Sequence, residues 1–352
     1  MSDEGKVRII VREFDETPAS GWRSFLDLKT WLEREKVVDA FDRASPGWAA
    51  YLHFYRERMA PYIRSDFYQA LDSKDSMKKW KEKYETDGEV DVPFLNLTCL
   101  PGLSKYAGRK EPDGNHRYGS CRPAYPPGEV LAFKKGDRRK DLLTEVNMTA
   151  VASRHMQEDD VVQWIYHSPH LRSFLAHVMG CDNLYPYLSD LGIAVNIMQP
   201  RKESQTALGF HFDSIDSSRS KGSKSAQPKG VTGVIGIQDC LEGGERVVFP
   251  TVHRSGVGAV ENILKRYDPF QPGQPIGSCV PSVFREPTRG MLYLFNGGDV
   301  LHGVSSVRKG RRIAAAFMFQ EKRPIETKES EASANFFYGN NSSPQQLHRS
   351  KL

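Results

Sequence analysis

From about residue 191 onward the chain changes its hydrophobic period, and that change constrains the fold more than any other feature. Gly192 to Met198 alternates, and Val231 to Gln238 is β-branched and spaced by glycines. Arg246-Val247-Val248-Phe249 comes after the turn Glu242-Gly243-Gly244-Glu245. Met291 to Phe295 is stopped by Asn296-Gly297-Gly298, and Arg312 to Phe319 ends the series. A period of two sends successive side chains to opposite faces of a sheet. Short strands separated by glycine-rich turns build a sandwich or jelly roll.

The first half has the helical period instead. Trp22 to Phe41 carries Phe25, Leu26, Leu28, Trp31, Leu32, Val37, Val38 and Phe41 at spacings close to 3.6. Further helices are expected over Trp48 to Met59, Tyr62 to Lys83 and Asp159 to Gly180. In the last of these, Ser168-Pro169 fits an N-cap and a first-turn proline, and Gly180 fits a C-cap. Val92 to Glu145 reads as loop with short strands. Its densest basic run, Lys134 to Lys140, reads as a solvated loop, because no aromatic residues interleave it as a nucleic-acid platform requires.

Composition excludes several classes. Lys plus Arg is 49 against 44 for Asp plus Glu, a formal charge of +5 that demands neither nucleic acid nor an anionic membrane. No apolar run approaches the roughly 18–20 residues of a membrane span, and the N-terminus Met1-Ser2-Asp3-Glu4 has no apolar signal core. The five cysteines, Cys99, Cys121, Cys181, Cys240 and Cys279, are odd in number and scattered, with no C-x-x-C pair. Reduced thiols and a cytoplasmic setting are expected.

The chemistry concentrates in the β-rich half. His211-Phe212-Asp213 places an imidazole and a carboxylate at same-side positions of a strand. His302, beyond the strand Met291 to Phe295 and its turn, is the candidate third ligand. Two histidines and one carboxylate on one face of a metal leave the other positions open, the arrangement of non-heme Fe(II) oxygen chemistry. An H-x-D triplet alone is common by chance, and the weight comes from the residues beyond His302. Alternation from Arg312 puts Arg312, Ala314, Ala316 and Met318 on one face, and Ile313, Ala315, Phe317 and Phe319 on the other. A guanidinium beside small alanines makes room for an anion, and its planar fork suits a carboxylate.

His211, Asp213, His302 and Arg312, in that order, resemble the Fe(II)/2-oxoglutarate-dependent dioxygenases, whose members carry H-x-D, a distal His, and an Arg or Lys beyond it. The turn Glu242-Gly243-Gly244-Glu245 matches the family's glycine-acidic turn before a short strand. The resemblance covers about residues 190–322. It implies an α+β fold: a double-stranded β-helix (jelly-roll or cupin-like) core over residues 191–325, with a helical, loop-rich N-terminal elaboration over 1–190. A polar tail covers 326–352, and the whole is one integrated catalytic domain. It also implies Fe(II) held by His211, Asp213 and His302, with 2-oxoglutarate and O2 as cosubstrates and ascorbate as a stimulant. Arg312 would take the far carboxylate of 2-oxoglutarate. In many members a Ser or Thr two residues past that Arg helps hold the cosubstrate; here the position is Ala314. Asn196, on the strand leading toward His211, is the candidate for the missing contact.

The expected function is oxidation of an unactivated C–H bond, by hydroxylation, desaturation or oxidative cyclisation, with succinate and CO2 as co-products. The expected substrate is a free amino acid or a small natural-product (secondary-metabolite) intermediate. Asp213 argues against chlorination, since related halogenases carry a small residue there. Nucleic-acid repair relatives carry a second Arg six residues past the first, where this chain has Met318, so no nucleic-acid partner is expected. A protein or peptide hydroxylase of the same family is the alternative. A non-catalytic cupin-like binding module is disfavoured, because the three ligands and the Arg are present together. The run Ser217 to Gly230 holds four basic residues and no acidic ones directly after the triplet. It is the candidate substrate lid, against a solvated insertion.

Overall fold

The computed structural model describes residues 55–103, 119–120, 123–153, 156, 160–182, 184–187, 192–201, 206–213, 230–249, 257–266 and 283–321. The expected helix over Trp22 to Phe41, most of the lid candidate and the polar tail lie outside these residues.

Helices dominate the first part of the described chain. Residues 55–59 are helical. Ser65–Leu71 (α1) and Lys74–Asp87 (α2) come next, two helices where the sequence pattern suggests one. The break falls at Asp72-Ser73, where the Ser73 hydroxyl accepts from the Ser76 N–H and caps α2. Gly88 ends α2 in the left-handed region at φ 71°. The strand Glu89–Pro93 (β1), a 3₁₀ turn at Leu97–Cys99 and the short helix Leu100–Leu103 (α3) lead to the two-residue strand Gly119–Ser120 (β2).

The basic run is not wholly the loop that its composition suggests, because Arg138–Thr144 forms a helix (α4). Asp137 caps it by accepting from the Arg139 N–H at 3.0 Å, and pairs with the Arg139 side chain. Leu142 and Leu143 are buried on its inner face. Met148–Ala152 is β3. The segment near Asp159 to Gly180 is again two helices, Val161–Tyr166 (α5) and Pro169–Met179 (α6). Ser168 accepts from the Leu171 N–H, Pro169 sits in the first turn, and Gly180 closes α6 at φ 63°, as the sequence pattern indicates.

The remaining elements are mostly strands: Tyr185–Pro186 (β4), Ile193–Met198 (β5), Thr206–His211 (β6), Gly230–Gln238 (β7), Glu242–Gly243 (β8) and Arg246–Phe249 (β9). The helix Val257–Arg266 (α7) precedes Val283–Arg285 (β10), Met291–Phe295 (β11), Leu301–Ser305 (β12), Val307–Lys309 (β13) and Arg312–Gln320 (β14). Neighbouring strands pair antiparallel throughout the described residues. One sheet runs β1-β11-β7-β14-β5-β3-β2, with β4 on the end of β14; a second runs β10-β9-β12-β6; β13 and β8 form a ribbon. Strands β1, β2, β3 and β4 of the large sheet therefore come from before residue 191.

Alternation sorts the two faces of the large sheet. Ile193, Val195, Ile197, Ile235, Leu292, Leu294, Ile313 and Phe317 share one apolar cluster with Phe67 of α1, Trp164 of α5 and Phe174 of α6. The helices thus cover the outer face. Gly233 lets the Phe317 ring lie flat on the sheet, since a Cβ there would stand 2.1 Å from that ring. The outer face of the small sheet (Phe210, Val247, Phe249, Leu301) packs with Leu142 and Leu143 of α4 and with Val260 and Leu264 of α7. Between the two inner faces lies a cavity of about 330 Å³. Among the described residues no helix is long and apolar enough to cross a membrane.

Phe67 anchors the helical cover. It is 1% exposed, and its ring meets Phe94 at 4.9 Å and Phe174 at 5.4 Å between centroids. Phe67→Ala should lower the unfolding free energy by roughly 3–5 kcal/mol, read as a reduced urea midpoint with an unchanged slope.

Candidate metal centre

The site is built where the small sheet's last pairing meets a glycine turn of the large one. β12 pairs β6 with His302 directly opposite His211. That register brings the imidazoles side by side, ring centroids 4.4 Å apart. The Nδ1 of His211 lies 2.8 Å from the Gly209 carbonyl, and the Nδ1 of His302 lies 2.9 Å from the Val300 carbonyl. A carbonyl only accepts, so each Nδ1 carries a hydrogen, and a neutral imidazole held this way would present the Nε2 lone pair to a metal. Both Nε2 atoms converge on Asp213 Oδ1, at 3.5 Å from His211 and 3.6 Å from His302. One ligand atom from each of the three residues lies within 4.8 Å of the others.

Asp213 is held at two points. Its backbone N–H donates to the Gly297 carbonyl at 2.8 Å, and its Oδ2 accepts from Thr232 Oγ1 at 2.5 Å. Gly297 leaves the room: a Cβ there would stand 2.0 Å from Asp213 Oδ2 and 2.3 Å from Thr232 Oγ1. Burial alone would raise the Asp213 carboxyl. The His302 and His211 imidazoles outweigh it and hold the carboxyl well below the usual carboxylate range. Two imidazole nitrogens and one carboxylate oxygen beside the cavity fit a divalent iron, which these three residues would hold.

The cavity wall carries the remaining candidates. Arg312 opens β14, is 7% exposed, and faces the cavity together with Ala314, Ala316 and Met318, as alternation predicts. Its Nη1 lies 3.3 Å from Met198 Sδ. Asn196 pairs directly with Ala314 across β5 and β14, so it stands beside the position that lacks a hydroxyl. Asn196 lines the cavity, and its Oδ1 is buried with no hydrogen-bond partner among the described residues. The lid candidate Ser217 to Gly230 lies outside the described residues, apart from Gly230 at the start of β7.

The structure adds three participants that the sequence pattern does not reveal. Thr232 and Gly297 clamp Asp213, and the sole trace of the latter in the sequence is the stop signal Asn296-Gly297-Gly298. Arg246 reads in the sequence as the first residue of a strand, and it lines the cavity. His302, the expected third ligand, sits within a strand of its own, β12.

No family model matches the chain, and no curated protein matches it. Solved structures do. The non-heme alpha ketoglutarate dependent epimerase SnoN from nogalamycin biosynthesis is 13% identical, with 77% of this chain and 93% of that one covered and a TM-score of 0.46. A 2OG-Fe(II) oxygenase family oxidoreductase from Burkholderia pseudomallei is 14% identical, with 72% and 94% covered and a TM-score of 0.43. A Pseudomonas putida prolyl-4-hydroxylase is 14% identical, with 70% and 100% covered and a TM-score of 0.39. The solved structures that this chain is similar to include an oxidoreductase of the 2OG-Fe(II) oxygenase family.

Proposed function

We propose that the chain is a non-heme Fe(II)- and 2-oxoglutarate-dependent oxygenase on a double-stranded β-helix core. It oxidises an unactivated C–H bond of a small molecule. One observation carries this reading: His211, Asp213 and His302 converge at the wall of a 330 Å³ cavity that also receives a buried arginine, Arg312. A volume of that size suits one cosubstrate and part of a small substrate. Iron held by His211, Asp213 and His302 would supply the oxidising power together with 2-oxoglutarate and O2, with succinate and CO2 as co-products.

The chain's own residues do the positioning. The backbone carbonyls of Gly209 and Val300 keep both imidazoles in the ligating tautomer. Thr232 engages one Asp213 oxygen and leaves the other for the metal. Arg312 takes the far carboxylate of 2-oxoglutarate, with Asn196 as a neighbouring polar contact. Tyr125, Leu143, Met148, Tyr187 and Leu208 give the described cavity wall an apolar character. That lining supports an uncharged natural-product intermediate over a free amino acid, which would need a partner for each of its two charges. The shared apolar cluster of helices and large sheet supports one catalytic unit rather than two domains.

The test is incubation with Fe(II), 2-oxoglutarate, ascorbate and a panel of small molecules, amino acids and peptides. The expected result is metal-dependent succinate, coupled to a product that gains one oxygen or loses two hydrogens. A peptide as the sole coupled substrate would favour a protein hydroxylase. Arg312→Met should weaken 2-oxoglutarate binding by roughly 100-fold, since a charge-assisted pair contributes on the order of 1.5–3 kcal/mol. Calorimetric titration of the metal-loaded variant measures it.

A further inference from the structure

A second arginine reaches the same cavity. Arg246 begins β9 in the small sheet, two residues before Val248, which pairs with His302. It is 5% exposed. Its guanidinium lies over two rings of β11, 5.0 Å from the Tyr293 centroid and 4.8 Å from that of Phe295. The Phe295 ring in turn stands edge-on to His302 at 4.9 Å. Arg246 Nη2 donates to Glu89 Oε2 at 2.8 Å. Its Nε and Nη1 are buried and have no hydrogen-bond partner among the described residues.

The groups around it do not complete its hydrogen bonds. Glu89 is shared, because its Oε1 accepts from Arg285 Nε at 2.8 Å and from Arg285 Nη2. One carboxylate therefore serves the hydrogen bonds of two guanidiniums. Asp91 acts on both guanidiniums through space, although burial raises its carboxyl and its Oδ1 makes no hydrogen bond among the described residues. Arg312 adds another buried cation, and both arginines border the main cavity and a small void behind it. Leaving the buried N–H groups of a cation without an acceptor is costly, and such groups in a folded protein point to a missing partner. With Ala314 in place of a hydroxyl residue, the far carboxylate of 2-oxoglutarate is also short of a second strong donor.

We propose that Arg246 is a second cosubstrate-binding residue, so that the far carboxylate of 2-oxoglutarate lies between the guanidiniums of Arg246 and Arg312. The aromatic rings of β11 and Glu89 hold the Arg246 fork in place, leaving Nε and Nη1 to donate. The inference rests on the 2-oxoglutarate reading of the site. It makes the pocket selective for a 2-oxo acid with a distal carboxylate.

The experiment compares two ligands on the Mn(II)-loaded protein by calorimetry, without turnover. 2-Oxobutyrate keeps the keto and C1 carboxylate groups of 2-oxoglutarate and lacks the distal carboxylate. Arg246→Met should weaken 2-oxoglutarate binding by at least tenfold and leave 2-oxobutyrate binding unchanged; Arg246→Lys should recover part of the loss. Glu89 keeps Arg285 in either variant, so no orphaned carboxylate is created, and a thermal melt checks folding. Equal 2-oxoglutarate binding by Arg246→Met, or an equal loss for both acids, overturns the proposal. A crystal structure of the unaltered protein with Mn(II) and 2-oxoglutarate decides independently of any variant. Arg246 Nε or Nη1 within hydrogen-bond reach of the distal carboxylate supports it, and Arg312 alone at that carboxylate overturns it. A metal-loaded unaltered protein that binds no 2-oxoglutarate sinks the functional reading instead.

Discussion

Replacing His302 with alanine should abolish metal-dependent turnover of 2-oxoglutarate while the protein stays folded. His302 supplies one of three converging ligand atoms, and its Nε2 reaches the point near Asp213 Oδ1 that His211 reaches from the paired strand. Two ligands cannot hold the metal facially, so the loss should exceed the roughly 10–100-fold that removal of an outer-shell partner costs. The ring already borders the cavity, and its deletion enlarges that space rather than opening a new void in the apolar clusters. The stability cost should be correspondingly small. Metal content after dialysis and succinate formation check the first claim, and a thermal melt checks the second. A variant that retained stoichiometric metal and full turnover would remove His302 from the centre.

Gly297→Ala should be nearly as damaging, although the residue is not one of the three ligands. An added methyl at 2.0 Å from Asp213 Oδ2 and 2.3 Å from Thr232 Oγ1 overlaps both partners of one hydrogen bond. Asp213 cannot simply retreat, because its own N–H is bound to the Gly297 carbonyl. The carboxylate must rotate away from the imidazoles. Metal affinity should fall roughly 10–100-fold or more, with a smaller change in folding stability. A competition titration with a chromogenic chelator measures it. Unchanged affinity would mean that the turn yields instead, and that the Thr232–Asp213 clamp does not orient the ligand.

The strands are legible in the sequence where side chains obey one rule over several residues. β5 and β14 alternate because one face meets the helices and the other the cavity, while β7 and β11 read as β-branched or apolar runs bounded by glycine turns. The face assignment of Arg312, Ala314, Ala316 and Met318 comes from period alone. The caps of α6 are legible because Ser168, Pro169 and Gly180 act locally. β1 is hidden because Glu89 and Asp91 carry charge into the sheet, and Glu89 finds Arg246 at a separation of 157 residues. No local pattern announces such a pair. α4 is obscured by its basic residues, although Asp137 and the pair Leu142-Leu143 supply the cap and the buried face. The ligand set is readable because His302 and Arg312 follow the H-x-D triplet in order, not from the triplet itself. The Gly297 clamp is not, since its role exists only once β11 and the His211 turn meet.

The most direct measurement is an oxygen-free titration of the Fe(II)-loaded protein with 2-oxoglutarate, monitored by visible charge-transfer absorption. A band that saturates at one equivalent and is missing from His302→Ala is the predicted result. An iron-loaded unaltered protein showing no band at any 2-oxoglutarate concentration would contradict the assignment.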